Sequence, residues 1–160
     1  MDLSLLDQLE REHREAESLI ARLEDAKGEA EQRELTEKLA VALAKHMEVE
    51  ERDVYPSLRK IDPELVDEAN NEHDLARTGV AEMATLIGEP GFAAAVAMVK
   101  AGLEHHVEDE ETEVFPKLRT AIKGVRDDMT KDELYDLASE VEVAGRGSMS
   151  KEQLHDALSL

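Results

Sequence analysis

Cysteine is absent from this chain, which excludes disulfides, thiolate metal sites and thiol catalysis together. Tryptophan is absent too, and tyrosine and phenylalanine number two each. Ala, Leu, Glu, Lys and Arg dominate in their place, a helix-forming composition. No apolar run approaches membrane-spanning length, and the N-terminal stretch has neither the basic nor the apolar region of a signal peptide, so a cytoplasmic protein is expected. Cations are scarce. Nineteen Lys and Arg stand against 39 Asp and Glu, a formal net charge of −20 over 160 residues. Such a surface repels nucleic-acid phosphates and anionic membranes, so neither is an expected partner, while it gathers cations. No Ser/His/Asp arrangement or Gly-rich phosphate loop is present.

What the chain does have is helical periodicity along most of its length. Leu6, Leu9, His13, Ala16, Ile20 and Leu23 step by three and four along one face. Val66, Ala69, His73, Ala76, Val80, Met83 and Ile87 do the same. Leu35, Leu39, Leu43, His46, Glu50 and Val54 mark a second helix, and Val96, Val99, Leu103, His106, Glu110 and Val114 a fourth. Asp62-Pro63 reads as an N-cap followed by proline at the first helical position; Gly28 and Gly88-Glu89-Pro90-Gly91 read as turns. Helices are expected near 3–27, 31–60, 63–87 and 91–122. Short connections make neighbours antiparallel, so the expected fold is all-α, an up-down-up-down four-helix bundle over residues 1–123. Residues 124–160 form a short appendage.

The bundle is written twice. Shifting the sequence by sixty residues sets His13 on His73, Ala16 on Ala76, Gly28 on Gly88, Leu43 on Leu103, His46 on His106, Glu50 on Glu110, Pro56 on Pro116 and Arg59 on Arg119, with no gap. The most similar passages are His46-Met-Glu-Val-Glu-Glu-Arg-Asp-Val-Tyr-Pro56 and His106-Val-Glu-Asp-Glu-Glu-Thr-Glu-Val-Phe-Pro116. Each half is a helix hairpin with one lone histidine and, 33 residues later, an HxxxE pair.

Residues four apart share a helix face, so His46 and Glu50 point inward together, as do His106 and Glu110. A buried carboxylate without a partner is costly, and two facing each other repel. The inner residues could make His–Glu hydrogen bonds in a duplicated core. Four histidines and two glutamates at matched depth on four helices are better explained by a pair of cations. Each would take two imidazole nitrogens, with both glutamates bridging. This donor set suits iron or manganese better than calcium or magnesium; zinc binds such groups too, with fewer ligands in tetrahedral geometry. Glu48, Glu51, Glu108 and Glu111 are read as solvated acids or acids behind the ligands.

The order H, HxxxE, H, HxxxE over residues 3–122 resembles the hemerythrin-like, or HHE cation-binding, family. That resemblance implies a non-haem, carboxylate-bridged di-iron centre. His13, His46, His73 and His106 would supply nitrogen, and Glu50 and Glu110 the bridges. It implies a small ligand (dioxygen, peroxide or nitric oxide) and work as a sensor, scavenger or catalase-like protein. Iron storage or ferroxidase activity is the alternative. Oxygen-carrying members have HxxxH on the third helix and HxxxxD on the fourth; here Arg77 stands four residues after His73, so a fifth histidine is missing and reversible oxygen storage is in doubt. His105 has the five-residue spacing to Glu110, but the repeat aligns His106, not His105, with His46. Tyr55 and Phe115 are expected to cover one end of the core, and the sequence leaves open whether Tyr55 joins the site. Pro56 and Pro116 mark either a kink or a helix end one turn later.

After Gly124 the pattern changes. Thr130-Lys-Asp-Glu133 and Ser150-Lys-Glu-Gln153 are capping boxes that open short helices near 131–143 and 151–158. This stretch resembles the helix–extended loop–helix unit of the Rho termination factor N-terminal domain and SAP-like modules, a group that often touches nucleic acid. Nine acids against three cations over 127–160 argue instead for a protein partner; an interaction module acting through this tail is the third reading. His155 has no partner motif and reads as a surface residue.

Overall fold

The computed structural model describes residues 3–158. They are folded as α1 (Leu3–Asp25), α2 (Glu29–Val49), α3 (Tyr55–Leu58), α4 (Pro63–Thr85), α5 (Phe92–Asp109), α6 (Phe115–Asp128), α7 (Lys131–Glu140) and α8 (Lys151–Ala157). No strand occurs among the described residues, and no helix is long and apolar enough to cross a membrane. π-Helical turns at Glu50–Val54 and Glu110–Val114 join α2 to α3 and α5 to α6, so eight helices make four long rods and a tail. α1 packs on α2 and α5, and α4 packs on the same two. This closed ring of antiparallel neighbours is the expected bundle.

Local chemistry sets the ends. Asp62 accepts from the Leu65 N–H and Pro63 follows it, which satisfies one of the first-turn donors of α4. Gly88 turns at φ +82, a value that side chains avoid, and its N–H donates to Gln32 across the bundle floor.

The π turns have a readable cause. His46, Glu50, Val54 and Leu58 are all buried, and so are His106, Glu110, Val114 and Leu118. On an α-helix each step of four residues overshoots a full turn by about 40°. Three such steps would swing the leucine about 120° off the histidine's face. The wider turn, in which Tyr55 donates to the Glu50 carbonyl and Phe115 to the Glu110 carbonyl, absorbs that drift. It also relieves Pro56 and Pro116, whose rings would otherwise press on the carbonyls of Arg52 and Thr112. Beyond the prolines the two halves differ: α3 ends within a turn, at Leu58, one of the two expected outcomes, while α6 continues to Asp128. The fourth rod thus outruns its expected end at 122, because an exposed glycine, Gly124, weakens a helix without stopping it.

Two apolar layers fill the bundle. One, nearer the Gly28 and Gly88 turns, contains Ile20, Leu35, Leu39, Met83 and Val96. The other, nearer the prolines, contains Leu6, Leu9, Val66, Leu58 and Leu118. The histidines and inner glutamates lie between them. The tail has its own small cluster of Leu134, Ala138, Leu154 and Leu158. Both expected capping boxes are formed, though α7 ends at Glu140 rather than 143. His155 is half-buried, not a free surface group, and lies 2.9 Å from Asp127 at the end of α6.

Candidate metal centre

His13, His46, His73 and His106 come from α1, α2, α4 and α5, and each is buried. Glu50 and Glu110, the first residues of the two π turns, are 0 % and 1 % exposed. The Nε2 atoms all face inward. His46 Nε2 lies 3.1 Å from Glu50 Oε1, and His73 Nε2 lies 3.2 Å from Glu50 Oε2. His13 Nε2 lies 3.3 Å and His106 Nε2 3.7 Å from Glu110 Oε2. Ligating atoms of His13, His46, Glu50, His106 and Glu110 lie within 4.8 Å of one another. His73 reaches the same interior through Glu50.

Behind every imidazole stands another carboxylate. His13 Nδ1 is 2.8 Å from Glu111, His46 Nδ1 3.2 Å from Glu12, His73 Nδ1 2.9 Å from Glu51 and His106 Nδ1 2.9 Å from Glu72. A carboxylate can only accept there, so each Nδ1 carries a proton and donates outward, and the Nε2 of a neutral ring keeps its lone pair turned in. This is the arrangement that orients histidines toward a metal. Of the four outer acids, Glu51 and Glu111 match the reading of acids behind the ligands. Glu12 and Glu72 were missed. Each precedes a site histidine by one residue, yet reaches the histidine of the neighbouring helix; the repeat of Glu-His at 12–13 and 72–73 was the available signal.

The interior holds too many acceptors. Both oxygens of Glu50, Oε2 of Glu110 and Nε2 of His106 are buried without a hydrogen-bond partner. Lone pairs facing lone pairs at just over 3 Å repel unless something positive lies between them. The protonation states reflect the strain. Burial, aided by neighbouring His13, pushes His46 down to about 4, and burial lowers His73 as well. On His106 the hydrogen bond to Glu72 and the charge of Glu110 outweigh burial and raise it. Burial and the facing Glu110 charge drive Glu50 well above the carboxylate range. Burial acts on Glu110 too, but its contact with His13 and the charge of His106 prevail and hold it at about 2. Glu50 therefore resists losing its proton where the geometry invites a cation.

Tyr55 adds a phenol oxygen, 3.0 Å from His73 Nε2 and 3.3 Å from Glu110 Oε1. Burial and the charges of Glu110 and Glu50 raise it far above its ordinary value, so the phenol stays protonated. Its ring stacks on His73, as that of Phe115 stacks on His13. His105 lies outside. Its side chain is 62 % exposed, with Nδ1 3.1 Å from Glu72 and 3.2 Å from Asp109.

The family model of the Hemerythrin HHE cation binding domain matches residues 4–118, most of the chain and the whole of this site. The chain belongs to the hemerythrin HHE family. No curated protein and no solved structure matches the chain significantly. The inward-facing nitrogens and unpartnered carboxylate oxygens fit the cation-binding role of an HHE domain. The family match stops short of α7 and α8.

A cleft of about 740 Å³ opens between α1 and α2, with His13 and His46 at its inner end. Ala16, Leu19, Ala42, Leu43 and Leu103 form apolar walls, while Glu34, Glu37, Lys38 and Lys45 stand among the polar lining residues.

Proposed function

We propose that this protein is a non-haem di-iron protein that binds or reacts with dioxygen, peroxide or nitric oxide, as a sensor, scavenger or catalase-like protein. The observation that carries the reading is the set of four imidazoles, each pinned from behind by a carboxylate, facing two buried glutamates whose oxygens lack partners. In this reading His13 and His46 would hold one ion and His73 and His106 the other, with Glu50 and Glu110 as the carboxylates available to both. Glu50 already turns one oxygen to His46 and the other to His73. Nitrogen and carboxylate donors with no thiolate favour iron, with manganese or zinc as weaker fits. Iron would supply one-electron redox chemistry toward a small oxidant or a diatomic ligand.

The chain's own groups do the rest. The outer carboxylates keep the Nε2 atoms aimed inward. The apolar layers on either side keep bulk water from reaching the site along the bundle axis. Tyr55 presents a phenol proton on the inner side, beside His73 and Glu110. The α1–α2 cleft lets a small molecule reach His13 and His46 without opening the bundle. Residues 1–123 are then the metal-holding bundle, and 124–160 an acidic helix–loop–helix appendage suited to a protein partner rather than nucleic acid. Protein produced with iron available is expected to carry about two ions per chain, and to show charge-transfer absorption in air that bleaches on anaerobic reduction. Peroxide or nitric oxide should change that spectrum. Rapid loss of iron to a mild chelator would favour iron handling, and a folded chain with no affinity for ferrous iron would sink the reading.

A further inference from the structure

We infer that Arg14 and Arg77 are positioning residues that fix the tautomers of His13 and His73 through the carboxylates of the opposite hairpin. The inference rests on the metal-site reading above, though half of its test does not need a metal. Arg14 Nη2 bonds Oε1 of Glu111, the same oxygen that accepts from His13 Nδ1. Arg77 Nη2 bonds Oε1 of Glu51 at 2.5 Å, the same oxygen that accepts from His73 Nδ1 at 2.9 Å. Each guanidinium and each imidazole thus share one oxygen. The other two histidines are held differently: Glu12 and Glu72 turn one oxygen to His46 and His106, and the other to Gln8 and His105.

The internal repeat shows that this is not inherited passively. Sixty residues from Arg14 stands Asp74, and sixty residues from Arg77 stands Glu17. The two halves carry the base and the acid in opposite order. Each arginine is still steadied by the acid three residues away on its own helix, Arg14 by Glu17 at 2.7 Å and Arg77 by Asp74 at 3.0 Å. Each still lands on the carboxylate behind a site histidine. Two different sequences that converge on one contact imply a demand for that contact. Stability does not supply the demand, since both side chains are about half exposed, at 53 % and 43 %, and ion pairs of that kind contribute little. A guanidinium on the same oxygen fixes the carboxylate in place. It therefore keeps the imidazole proton on Nδ1 and the lone pair on the inner nitrogen.

The test uses Arg14→Gln, Arg77→Gln and Arg77→Lys in the full-length chain. Nitrogen-15 NMR of the metal-free protein reports the tautomer of each histidine. Cobalt(II) titration against a competing chelator reports affinity. Arg77→Gln is expected to admit the Nε2-protonated tautomer at His73 while leaving His46 alone, and to weaken cobalt binding by about tenfold. Arg14→Gln should do the same at His13. Arg77→Lys should restore part of the effect, by keeping the charge without the fork. The inference is overturned if the His73 tautomer and the affinity both match the wild type, or if all four histidines change together. Should the unaltered chain bind no cobalt, the metal reading fails, and the NMR arm alone still decides the clamp.

Discussion

The two hairpins carry the same inner residues and differ in what surrounds them. α1 and α2 leave a cleft down to His13 and His46. α4 and α5 close tightly, so that a Cβ placed on Gly79 would come within 3.1 Å of a Val99 methyl. Tyr55 of the first half faces the site with a hydroxyl, whereas Phe115 of the second has none. Lys45 stands 3.8 Å from Glu12 where His105 stands 3.1 Å from Glu72. Even the paired glutamates diverge, Glu50 raised and Glu110 lowered. The repeat thus holds constant the four inward imidazoles and the two buried glutamates. It varies the helix seam beside them, a cleft between α1 and α2 and a close contact between α4 and α5.

The largest effects should come from breaking the equivalence of Glu50 and Glu110. Both oxygens of Glu50 lack partners, so Glu50→Leu should stabilise the metal-free protein by about 1–3 kcal/mol, the usual desolvation cost of an unsatisfied buried group. It should at the same time abolish binding of the bridged pair of ions. Glu110 accepts from Tyr55 and sets its charge against His13 and His106; Glu110→Leu should destabilise the metal-free protein and also abolish binding. Thermal unfolding with and without ferrous iron measures both. Equal shifts of the same sign in the two variants would show that the twins are interchangeable.

A second test concerns protons. A carboxyl pushed well above its ordinary range keeps its proton to higher pH, and a metal binds only the deprotonated form. Metal addition to the metal-free protein should therefore release protons, from Glu50 and from the raised His106. Affinity should rise with pH until Glu50 ionises without help. His46, lowered to about 4, is already neutral and contributes no release. Indicator titration in weak buffer measures the count, and a release that persists undiminished in Glu50→Gln contradicts the assignment.

Much of this was legible in the sequence because it rests on spacing within single helices. The lone histidines, the HxxxE pairs and their sixty-residue repeat place six groups on four inward faces without any knowledge of packing. Glu12 and Glu72 were not legible. A residue next to a buried histidine points off its face, and whether it meets the neighbouring helix depends on how the helices cross. The π turns were half written, in the run of four-residue steps ending beyond a proline. The cleft is purely tertiary, since nothing in the composition of α1 or α2 declares that they splay. Arg77 read only as a missing ligand; its reach to Glu51 needed the fold.

The cleft can be tested against its twin. Ala42 lines the cleft, and Gly102, sixty residues on, has open space around its Cβ position. Ala42→Phe should fill the passage and slow nitric oxide binding to the loaded protein by about tenfold, equivalent to ~1.4 kcal/mol on the entry barrier. Metal content should not change. Stopped-flow mixing would read it, and an unchanged rate would mean that ligands enter elsewhere. Tyr55→Phe copies the residue that the second half already uses, so the fold should accept it with a loss of about 1 kcal/mol for one buried hydrogen bond. The ligand-bound spectrum should shift if the phenol meets the bound molecule.

The smallest effect sharpens the comparison from the closed side. Gly102 lies inside α5, where glycine is worse than alanine by about 0.5–1 kcal/mol because the unfolded chain loses more freedom on ordering. A Cβ there meets nothing within 4 Å. Gly102→Ala should therefore stabilise the protein by about that amount and leave metal content and nitric oxide binding untouched, whereas the same added methyl at Gly79 must displace Val99 from the α4–α5 seam. Chemical unfolding of the two variants side by side separates a hairpin that is closed by close helix packing from one that is merely rich in small residues. If Gly79→Ala gains as much as Gly102→Ala, Val99 yields freely and the seam is looser than its spacing implies.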